Sequence, residues 1–303
     1  MTPFIAFDIN IGKAEVFPSI FAIATYLGNF LLTILLESNT IPVSKRGFFC
    51  NDNSIKYPYQ EETISGGSAL LIHVTTVITT FIIGETLPFN KNKSYTKQRG
   101  EDGNIFVKLY NSNHLWYVRV LKLVLLFCWC ASATMVLTSI IKTVVGWPRP
   151  NFMAVCNPNI TCSPNNTIFN TDYECKGTTL LGDWKRIDGK QWKSVNQARR
   201  SFPSGHASSS ATVMAFTVLY VEMRIPSSDS LVLVKPFIQI VSICVASFIA
   251  MSRVSDYYHH VVDVIFGGFL GIVIGLMVGR NCMKWLISLD DPNRKEECIR
   301  LQE

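Results

Sequence analysis

Three groups of polar residues, each at the end of an apolar stretch, could bind a phosphate ester. They are Lys142 with Arg149-Pro150, the segment Ser201-Phe202-Pro203-Ser204-Gly205-His206, and Ser252-Arg253 with His259 and Asp263. Lysine and arginine pair naturally with an anion that has several oxygens, and a guanidinium fork suits phosphate. Amides at a helix N-terminus also favour phosphate, and glycine allows a close approach. We therefore expect a phosphate-binding set of Lys142, Arg149, Ser204, Gly205, Ser252 and Arg253.

Two histidines in these groups could make and break the bonds. His259 and Asp263 are four residues apart, so on a helix they share a face and the carboxylate can accept a hydrogen bond from one imidazole nitrogen. The other nitrogen keeps its lone pair and could attack phosphorus to form a phosphohistidine. His206 could protonate the departing alkoxide and then activate water. The predicted catalytic residues are His259, His206 and Asp263.

The same residues argue against a metal or a cofactor. No Asp, Glu and His cluster has metal-ligand spacing, so we expect the three cations to stabilise the charge on the phosphate oxygens instead. Hydrolysis of phosphate monoesters is extremely slow without a catalyst, which makes that stabilisation essential. Nucleic-acid binding is not expected, because the net charge of +6 is modest and the basic residues form no aromatic-interleaved patch.

Long apolar stretches must position these groups. Charged residues make up 17% of the 303 residues, against about 25% in soluble domains. A transmembrane helix needs about 20 mostly apolar residues. Six stretches come close: 16–36, 64–84, 123–141, 207–223, 231–251 and 261–279. The sequence thus predicts an all-α integral membrane bundle of six transmembrane helices, forming a single domain over residues 1–303.

Loop charges predict the orientation of this bundle. The segment between the second and third stretches and the tail at 280–303 are both rich in lysine and arginine, which makes their side cytoplasmic under the positive-inside rule. Both termini are then cytoplasmic, and the long loop 142–206 faces outward with all three polar groups at one membrane face. The first stretch is too long for a cleaved signal peptide, so we expect it to remain as an anchor.

Sequons and cysteines agree with this orientation. Asn159 and Asn165 begin glycosylation sequons in the long outer loop. Four cysteines also fall in the predicted outer loops, namely Cys50, Cys156, Cys162 and Cys175. In an oxidising space they could form two disulfides, with three possible connectivities that the sequence leaves open.

The order and spacing of the three groups resemble the signature of the type 2 phosphatidate phosphatase superfamily, which includes glucose-6-phosphatase and vanadium haloperoxidases. Residues 46–58 and Gly84-Glu85 are similar to the lipid phosphate phosphatases within it. The resemblance implies a nucleophile at His259 with Asp263 as its partner, and an acid/base at His206. It also implies that the phosphate-binding set named above holds the substrate. Pro203 matches the wider superfamily, whereas animal members often have an aromatic residue there.

The resemblance further implies magnesium-independent hydrolysis of lipid phosphate monoesters: phosphatidate, lysophosphatidate, sphingosine 1-phosphate and ceramide 1-phosphate. The site would face the outside of the cell or a lumen. The plasma membrane is the expected location, and an internal membrane is the alternative. Homo-oligomers are known in the family, although this sequence alone does not show one.

Other functions stay open at this point. A sugar-phosphate phosphatase of the same superfamily is the first alternative, and more than six spans would favour it. A lipid-phosphate-binding protein without catalysis would tolerate the loss of His206 or Asp263, yet both are present. A channel or transporter gives no reason for three cations and two histidines to meet at one membrane face. Arg199-Arg200 is either a solvated pair of loop charges or a site of lipid headgroup attraction.

Overall fold

The structure is a computed structural model that describes residues 13–37, 41–89, 95–99, 105–109, 112–162, 168–176, 195–225 and 233–290. Each of the six predicted stretches forms a helix, and two short helical segments lie in the long outer loop, over Phe152–Cys156 and 195–198. The helices are α1 (Lys13–Glu37), α2 (Gly66–Phe89), α3 (Ser112–Val145), α4 (Phe152–Cys156), α5 (Gly205–Arg224), α6 (Val234–Ser255) and α7 (Val261–Asp290). The prediction of a mostly helical fold is confirmed.

Short β-strands lie in loops for which the sequence predicted no regular structure. They are β1 (Phe48–Phe49), β2 (Tyr95–Arg99), β3 (Ile105–Leu109) and β4 (Phe169–Asn170). Strands β2 and β3 form an antiparallel hairpin between α2 and α3. Strand β1 pairs antiparallel with β4, with Phe48 opposite Asn170. The second pair joins the loop after α1 to the loop after α3.

Four of the described helices are long and apolar enough to cross a membrane, over Gly66–Thr86, Arg119–Val145, Val234–Ser255 and Val261–Asn281. The apolar part of α1 within the described residues, Ile23–Glu37, is shorter. The predicted count of six spans is therefore not confirmed. Large apolar side chains such as Leu71 and Phe269 are about two-thirds exposed on these helices, as expected for a surface that faces lipid. The protein is a multi-pass membrane protein.

Helix α5 is less apolar than its neighbours because it lies inside the bundle. Its Ser208, Ser210 and Thr212 side chains are buried. Ser208 Oγ lies 3.0 Å from Thr138 Oγ1 on α3, and Ser210 Oγ lies 3.0 Å from His73 Nε2 on α2. Such hydrogen bonds satisfy polar groups that lipid could not. A hydropathy scan underrates a helix of this kind.

Helices α5 and α7 approach each other closely along a line of glycines on α7. A Cβ atom at Gly267 would lie 2.6 Å from the Ser204 carbonyl oxygen, and one at Gly275 would lie 2.9 Å from the Thr212 carbonyl oxygen. A Cβ atom at Gly271 would overlap the Ser208 carbonyl oxygen. Small residues at four-residue spacing allow two helix backbones to pack in this way. The contact fixes the N-terminus of α5 against α7.

This packing predicts a difference between two neighbouring glycines. Gly271→Ala should destabilise the protein by about 1–3 kcal/mol, because the new methyl group meets backbone that cannot rotate away. Gly268→Ala should leave stability unchanged or slightly raised, since no atom lies within 4 Å of its Cβ position. Thermal unfolding in detergent measures both. Equal unfolding temperatures for the two variants would contradict the close approach.

Helix α7 continues beyond the predicted end of the sixth stretch. It reaches Asp290, so the first residues of the predicted tail at 280–303 are helical, and the cytoplasmic location of that tail stays a prediction. The hydropathy pattern marks only the part of a helix that lies in lipid. No glycine or proline follows Gly279 before Pro292, so nothing in that segment opposes the helical backbone.

The loops after α1 and α3 form a small packed unit held by two disulfides. Cys50 is bonded to Cys162, and Cys156 to Cys175, which resolves the pairing that the sequence left open. A buried cluster surrounds these bonds and consists of Phe48, Ile55, Phe152, Val155, Tyr173 and Ala198. The Arg149 amide donates to the Ala198 carbonyl at 2.8 Å, and the Phe152 amide donates to the Arg149 carbonyl at 2.9 Å, so this unit holds that arginine at the end of the bundle.

Candidate active site

The structure brings all three polar groups to one end of the helix bundle. Lys142 lies in the last turn of α3, and Arg149 follows in the next loop. Ser204 is the N-cap residue of α5, and Arg253 lies in the last turn of α6. The turn between α6 and α7 carries His259, and Asp263 lies in the first turn of α7. Residues that are far apart in sequence therefore surround one site.

The N-terminus of α5 and the Lys142 ammonium lie together. The Ser204 hydroxyl accepts a hydrogen bond from the Ala207 amide at 3.4 Å, as an N-cap does. A Cβ atom at Gly205 would lie 3.0 Å from Lys142 Nζ. Glycine at this position therefore makes room for the amine beside the positive end of the helix dipole. The two positive features could hold an anion between them.

Arg149 and Arg253 supply two buried guanidinium groups. Arg149 is 9% exposed and Arg253 is 1% exposed. Each lies over the ring of Tyr258, with distances from Cζ to the ring centroid of 5.1 and 5.8 Å. Arg149 Nε and Arg253 Nη1 are buried, and no hydrogen-bond partner for either lies among the residues that the structure describes. Buried donors are normally paired, so these two nitrogens are well suited to bind the oxygens of an anion.

The Ser252 side chain contacts Arg253 directly. Ser252 Oγ accepts hydrogen bonds from Arg253 Nε at 3.2 Å and from Nη2 at 3.1 Å, and donates to the Ile249 carbonyl. Asp256 Oδ2 lies 2.8 Å from the same Nη2. The sequence predicted that Ser252 binds phosphate. In the structure this hydroxyl holds the guanidinium in position.

His259 is oriented by a backbone carbonyl. Its Nδ1 lies 2.6 Å from the Ser201 carbonyl oxygen and 3.6 Å from Asp263 Oδ2. A carbonyl oxygen only accepts, so Nδ1 carries the proton and Nε2 keeps its lone pair. The sequence had predicted a hydrogen bond from His259 to Asp263 on one helix face. That expectation differs from the structure because α7 begins at Val261, so His259 lies outside the helix.

Asp263 stabilises the turn that carries His259 through two hydrogen bonds. It accepts hydrogen bonds from the Ser201 hydroxyl and from the His260 amide, the second at 2.9 Å. An acidic residue in the first helical turn that reaches back to the amide before the helix is half of a capping box. Ser201 thus contacts both members of the predicted pair and was missed by the sequence analysis. Its place directly before Phe202-Pro203-Ser204 was the available signal.

Burial and charge keep His259 neutral. Its side chain is 3% exposed. Loss of water around the ring lowers the pKa of His259, as do the Arg149 and Lys142 cations, whereas Asp263 acts in the opposite direction and does not outweigh them. The unprotonated ring, which is the nucleophilic form, is therefore favoured at neutral pH.

His206 lies in the first turn of α5, close to the same cations. Its Nε2 atom is buried, and none of the described residues forms a hydrogen bond with it. The ring lies within electrostatic range of Arg253, Lys142 and His259. An unpaired imidazole nitrogen beside two unpaired guanidinium nitrogens could exchange a proton with a bound anion or with water. Among the described residues, no three His, Cys, Asp or Glu side chains are placed to hold a metal ion.

An ion pair next to the site was also missed. Arg200 is fully buried, and its Nη1 lies 3.0 Å from Glu37 Oε2 at the end of α1. Its other terminal nitrogen donates to the Leu36 carbonyl, and Ser139 Oγ donates to Glu37. Neither expectation for Arg200 was right, because the side chain reaches neither solvent nor lipid headgroups. It ties the segment before Ser201 to α1.

Removing this ion pair should cost stability. Arg200→Met leaves the Glu37 carboxylate, 32% exposed, without its partner, and we expect a loss of about 2–3 kcal/mol. The double variant Glu37→Gln with Arg200→Met should recover part of that loss, because no unpaired charge is left. Unfolding in detergent gives both values. A double variant that is less stable than Arg200→Met would contradict the pairing.

Of the two predicted glycosylation sites, the structure describes Asn159 and not Asn165. Asn159 is exposed, and its side-chain oxygen accepts a hydrogen bond from the Glu174 amide at 2.9 Å. Asn165 lies outside the described residues. Glycosylation at both positions stays a prediction.

Comparisons with known proteins identify the family of this chain. The PAP2 superfamily matches residues 123–295, which include every predicted catalytic and phosphate-binding residue. Phospholipid phosphatase 1 of Rattus norvegicus is 36% identical over 248 residues, covering 81% of this chain and 77% of that protein. Phospholipid phosphatase 2 of Homo sapiens is 30% identical over 259 residues, covering 86% and 79%. No solved structure matches the chain. The chain therefore belongs to the PAP2 superfamily and is a phosphoric monoester hydrolase.

Proposed function

We propose that this protein dephosphorylates lipid phosphate monoesters through a phosphohistidine at His259, without a metal. The observation that carries the proposal is the set of buried nitrogens at one end of the bundle. His259 has its proton fixed on Nδ1 by the Ser201 carbonyl. Arg149 Nε, Arg253 Nη1 and His206 Nε2 have no hydrogen-bond partner within the part of the chain that the structure describes. The oxygens of a phosphate group could form hydrogen bonds with these three nitrogens.

In the first step the substrate phosphate is held by Lys142, Arg149, Arg253 and the amides at the start of α5. The lone pair of His259 Nε2 forms a bond to phosphorus while the bond from phosphorus to the lipid oxygen breaks. His206, protonated once a dianion is bound beside it, donates its proton to that oxygen. The cations stabilise the charge on the equatorial oxygens as the bonds change.

In the second step the phosphoryl group passes to water. Neutral His206 takes a proton from the water molecule while its oxygen bonds to phosphorus, and the electron pair of the P–N bond returns to His259 Nε2. Inorganic phosphate leaves and both imidazoles regain their initial states. Asp263 and Ser201 keep the His259 ring oriented through both steps.

A lipid substrate fits the surroundings of the site. Exposed apolar side chains lie beside the site residues, with Val144 near Lys142, and Val262 and Ile265 near Asp263. Acyl chains could remain in the bilayer against these side chains while the phosphate enters the polar end of the bundle. The names of the relatives point to the same substrate class. The candidates are phosphatidate, lysophosphatidate, sphingosine 1-phosphate and ceramide 1-phosphate.

We further propose that the site faces the extracellular space or a lumen, with both termini cytoplasmic. Disulfides in the loops beside the site support an oxidising compartment, and the exposed Asn159 sequon lies on the same side. The basic segment between α2 and α3 supports a cytoplasmic location for the opposite end. The plasma membrane is the expected location, and a homo-oligomer stays a prediction from the family.

Phosphate release from purified protein in EDTA tests the function. We expect release from lipid phosphate monoesters at an unchanged rate when EDTA is present, because cations of the chain replace a metal. Glucose 6-phosphate is the comparison substrate, since a sugar-phosphate phosphatase is the alternative. Faster release from glucose 6-phosphate than from all four lipids would contradict a lipid function. Loss of activity in EDTA that added magnesium restores would contradict the metal-free mechanism.

A further inference from the structure

Four carboxylates lie around the cations of the site, and three of them are satisfied. Glu37 accepts from Ser139 and pairs with Arg200. Asp263 accepts hydrogen bonds from a hydroxyl and an amide. Asp256 accepts a hydrogen bond from the Thr63 amide and forms an ion pair with Arg253. The fourth is Glu62, in the loop before α2. Among the described residues no hydrogen-bond donor reaches its carboxylate.

Glu62 is held at the rim of the phosphate site. Its Oε2 lies 3.6 Å from Arg253 Nη1, and its side chain is 33% exposed. The next residue, Thr63, is anchored by two hydrogen bonds to Asp256, from its amide at 2.9 Å and from its hydroxyl at 2.6 Å. Asp256 in turn pairs with Arg253 at 2.8 Å. The backbone at Glu62 is therefore fixed to the arginine that would bind the substrate.

This position sets up a conflict of charge. Arg253 Nη1 has no hydrogen-bond partner in the described part of the chain, so a bound phosphate and the Glu62 carboxylate would lie on either side of the same atom. Like charges at that separation oppose binding. A substrate that carries its own cation next to the phosphate would remove the conflict, because an ammonium group donates charge-assisted hydrogen bonds to a carboxylate.

We propose that Glu62 is a specificity residue that accepts the ammonium group of a long-chain amino-alcohol phosphate. In such a lipid the amine lies two carbons from the ester oxygen, so it reaches the rim while the phosphate is bound at Arg253. Lipids with the same backbone but an acylated amine carry no positive charge at the nitrogen. Their phosphate is still repelled by the Glu62 carboxylate. The inference rests on the proposed function and narrows its substrate class.

Sphingosine 1-phosphate and ceramide 1-phosphate test this role, because they differ in whether the nitrogen is charged. The ratio of their kcat/KM values is measured in detergent micelles for the unaltered protein, for Glu62→Gln and for Glu61→Gln. We expect Glu62→Gln to lower the ratio of sphingosine 1-phosphate to ceramide 1-phosphate by about tenfold, the effect of one charged hydrogen bond. Glu61→Gln, an adjacent change in an exposed side chain, should leave the ratio unchanged.

The possible results distinguish a failure of the role of Glu62 from a failure of the proposed lipid phosphatase function. A ratio that stays within twofold in Glu62→Gln, while phosphate is still released, would overturn the role of Glu62 alone. An equal rise in kcat/KM for both lipids would mean that Glu62 only repels phosphate and would also overturn it. No release from either lipid by the unaltered protein would overturn the proposed function, and this inference with it.

Discussion

Replacing His259 by alanine is expected to abolish phosphate release from lipid phosphates, with a loss of at least about 10⁴-fold in kcat. No other group in the site has a lone pair held in place as His259 Nε2 is, with the proton fixed on Nδ1 by the Ser201 carbonyl. The nucleophile is thus removed rather than weakened. Phosphate release at saturating lipid measures the loss, and thermal unfolding in detergent shows that the variant is folded.

The adjacent histidine supplies a matched control. His260 Nε2 lies 3.1 Å from the Pro148 carbonyl, and its contact with Asp263 comes from the backbone amide. His260→Ala removes a ring of the same chemistry one residue away and keeps that amide. We expect it to retain activity to within about tenfold, the scale of one hydrogen bond. Similar losses in His259→Ala and His260→Ala would mean that the turn, and not the nucleophile, was damaged.

His206→Asn is expected to lower phosphate release from lipids by about 10³-fold, within the range for a lost general acid and base. A lipid alkoxide is a poor leaving group and needs the proton that His206 donates. The phenolate of p-nitrophenyl phosphate leaves without that proton. With this substrate the variant should form the phosphoenzyme at a nearly normal rate and then stall, because water is no longer activated.

Stopped-flow detection of p-nitrophenol separates the two steps. The expected result for His206→Asn is a burst of about one p-nitrophenol per site, followed by slow turnover. The unaltered protein should show no such accumulation. Loss of the burst together with turnover would place His206 in substrate binding and contradict its role as acid and base.

The helices and the site chemistry were readable from the sequence because both depend on local patterns. Apolar stretches of about 20 residues with few charges predicted the helices, and all six positions are helical in the structure. The predicted phosphate-binding and catalytic residues meet at one end because they occupy the ends of those helices. The helix boundaries and the count of spans differ from the prediction, since hydropathy reports contact with lipid and α5 is shielded from it.

The details that orient the site depend on long-range contacts, and the sequence contains no local sign of them. The Ser201 carbonyl reaches His259 across 58 residues, and Arg200 reaches Glu37 across 163. The spacing of His259 and Asp263 suggested a direct hydrogen bond on a helix. That prediction assumed that the helix started before His259, but α7 begins two residues later, at Val261, and the imidazole has another partner. Disulfide pairing was open for the same reason.

The stereochemical course at phosphorus tests the central claim most directly. A lipid phosphorothioate, in which phosphorus carries sulfur and two different oxygen isotopes in one configuration, is hydrolysed in water of the third isotope, and the configuration of the released thiophosphate is determined. Each in-line displacement inverts phosphorus. Two displacements, first by His259 and then by water, predict overall retention. Overall inversion would show a single attack by water and would contradict the phosphohistidine mechanism.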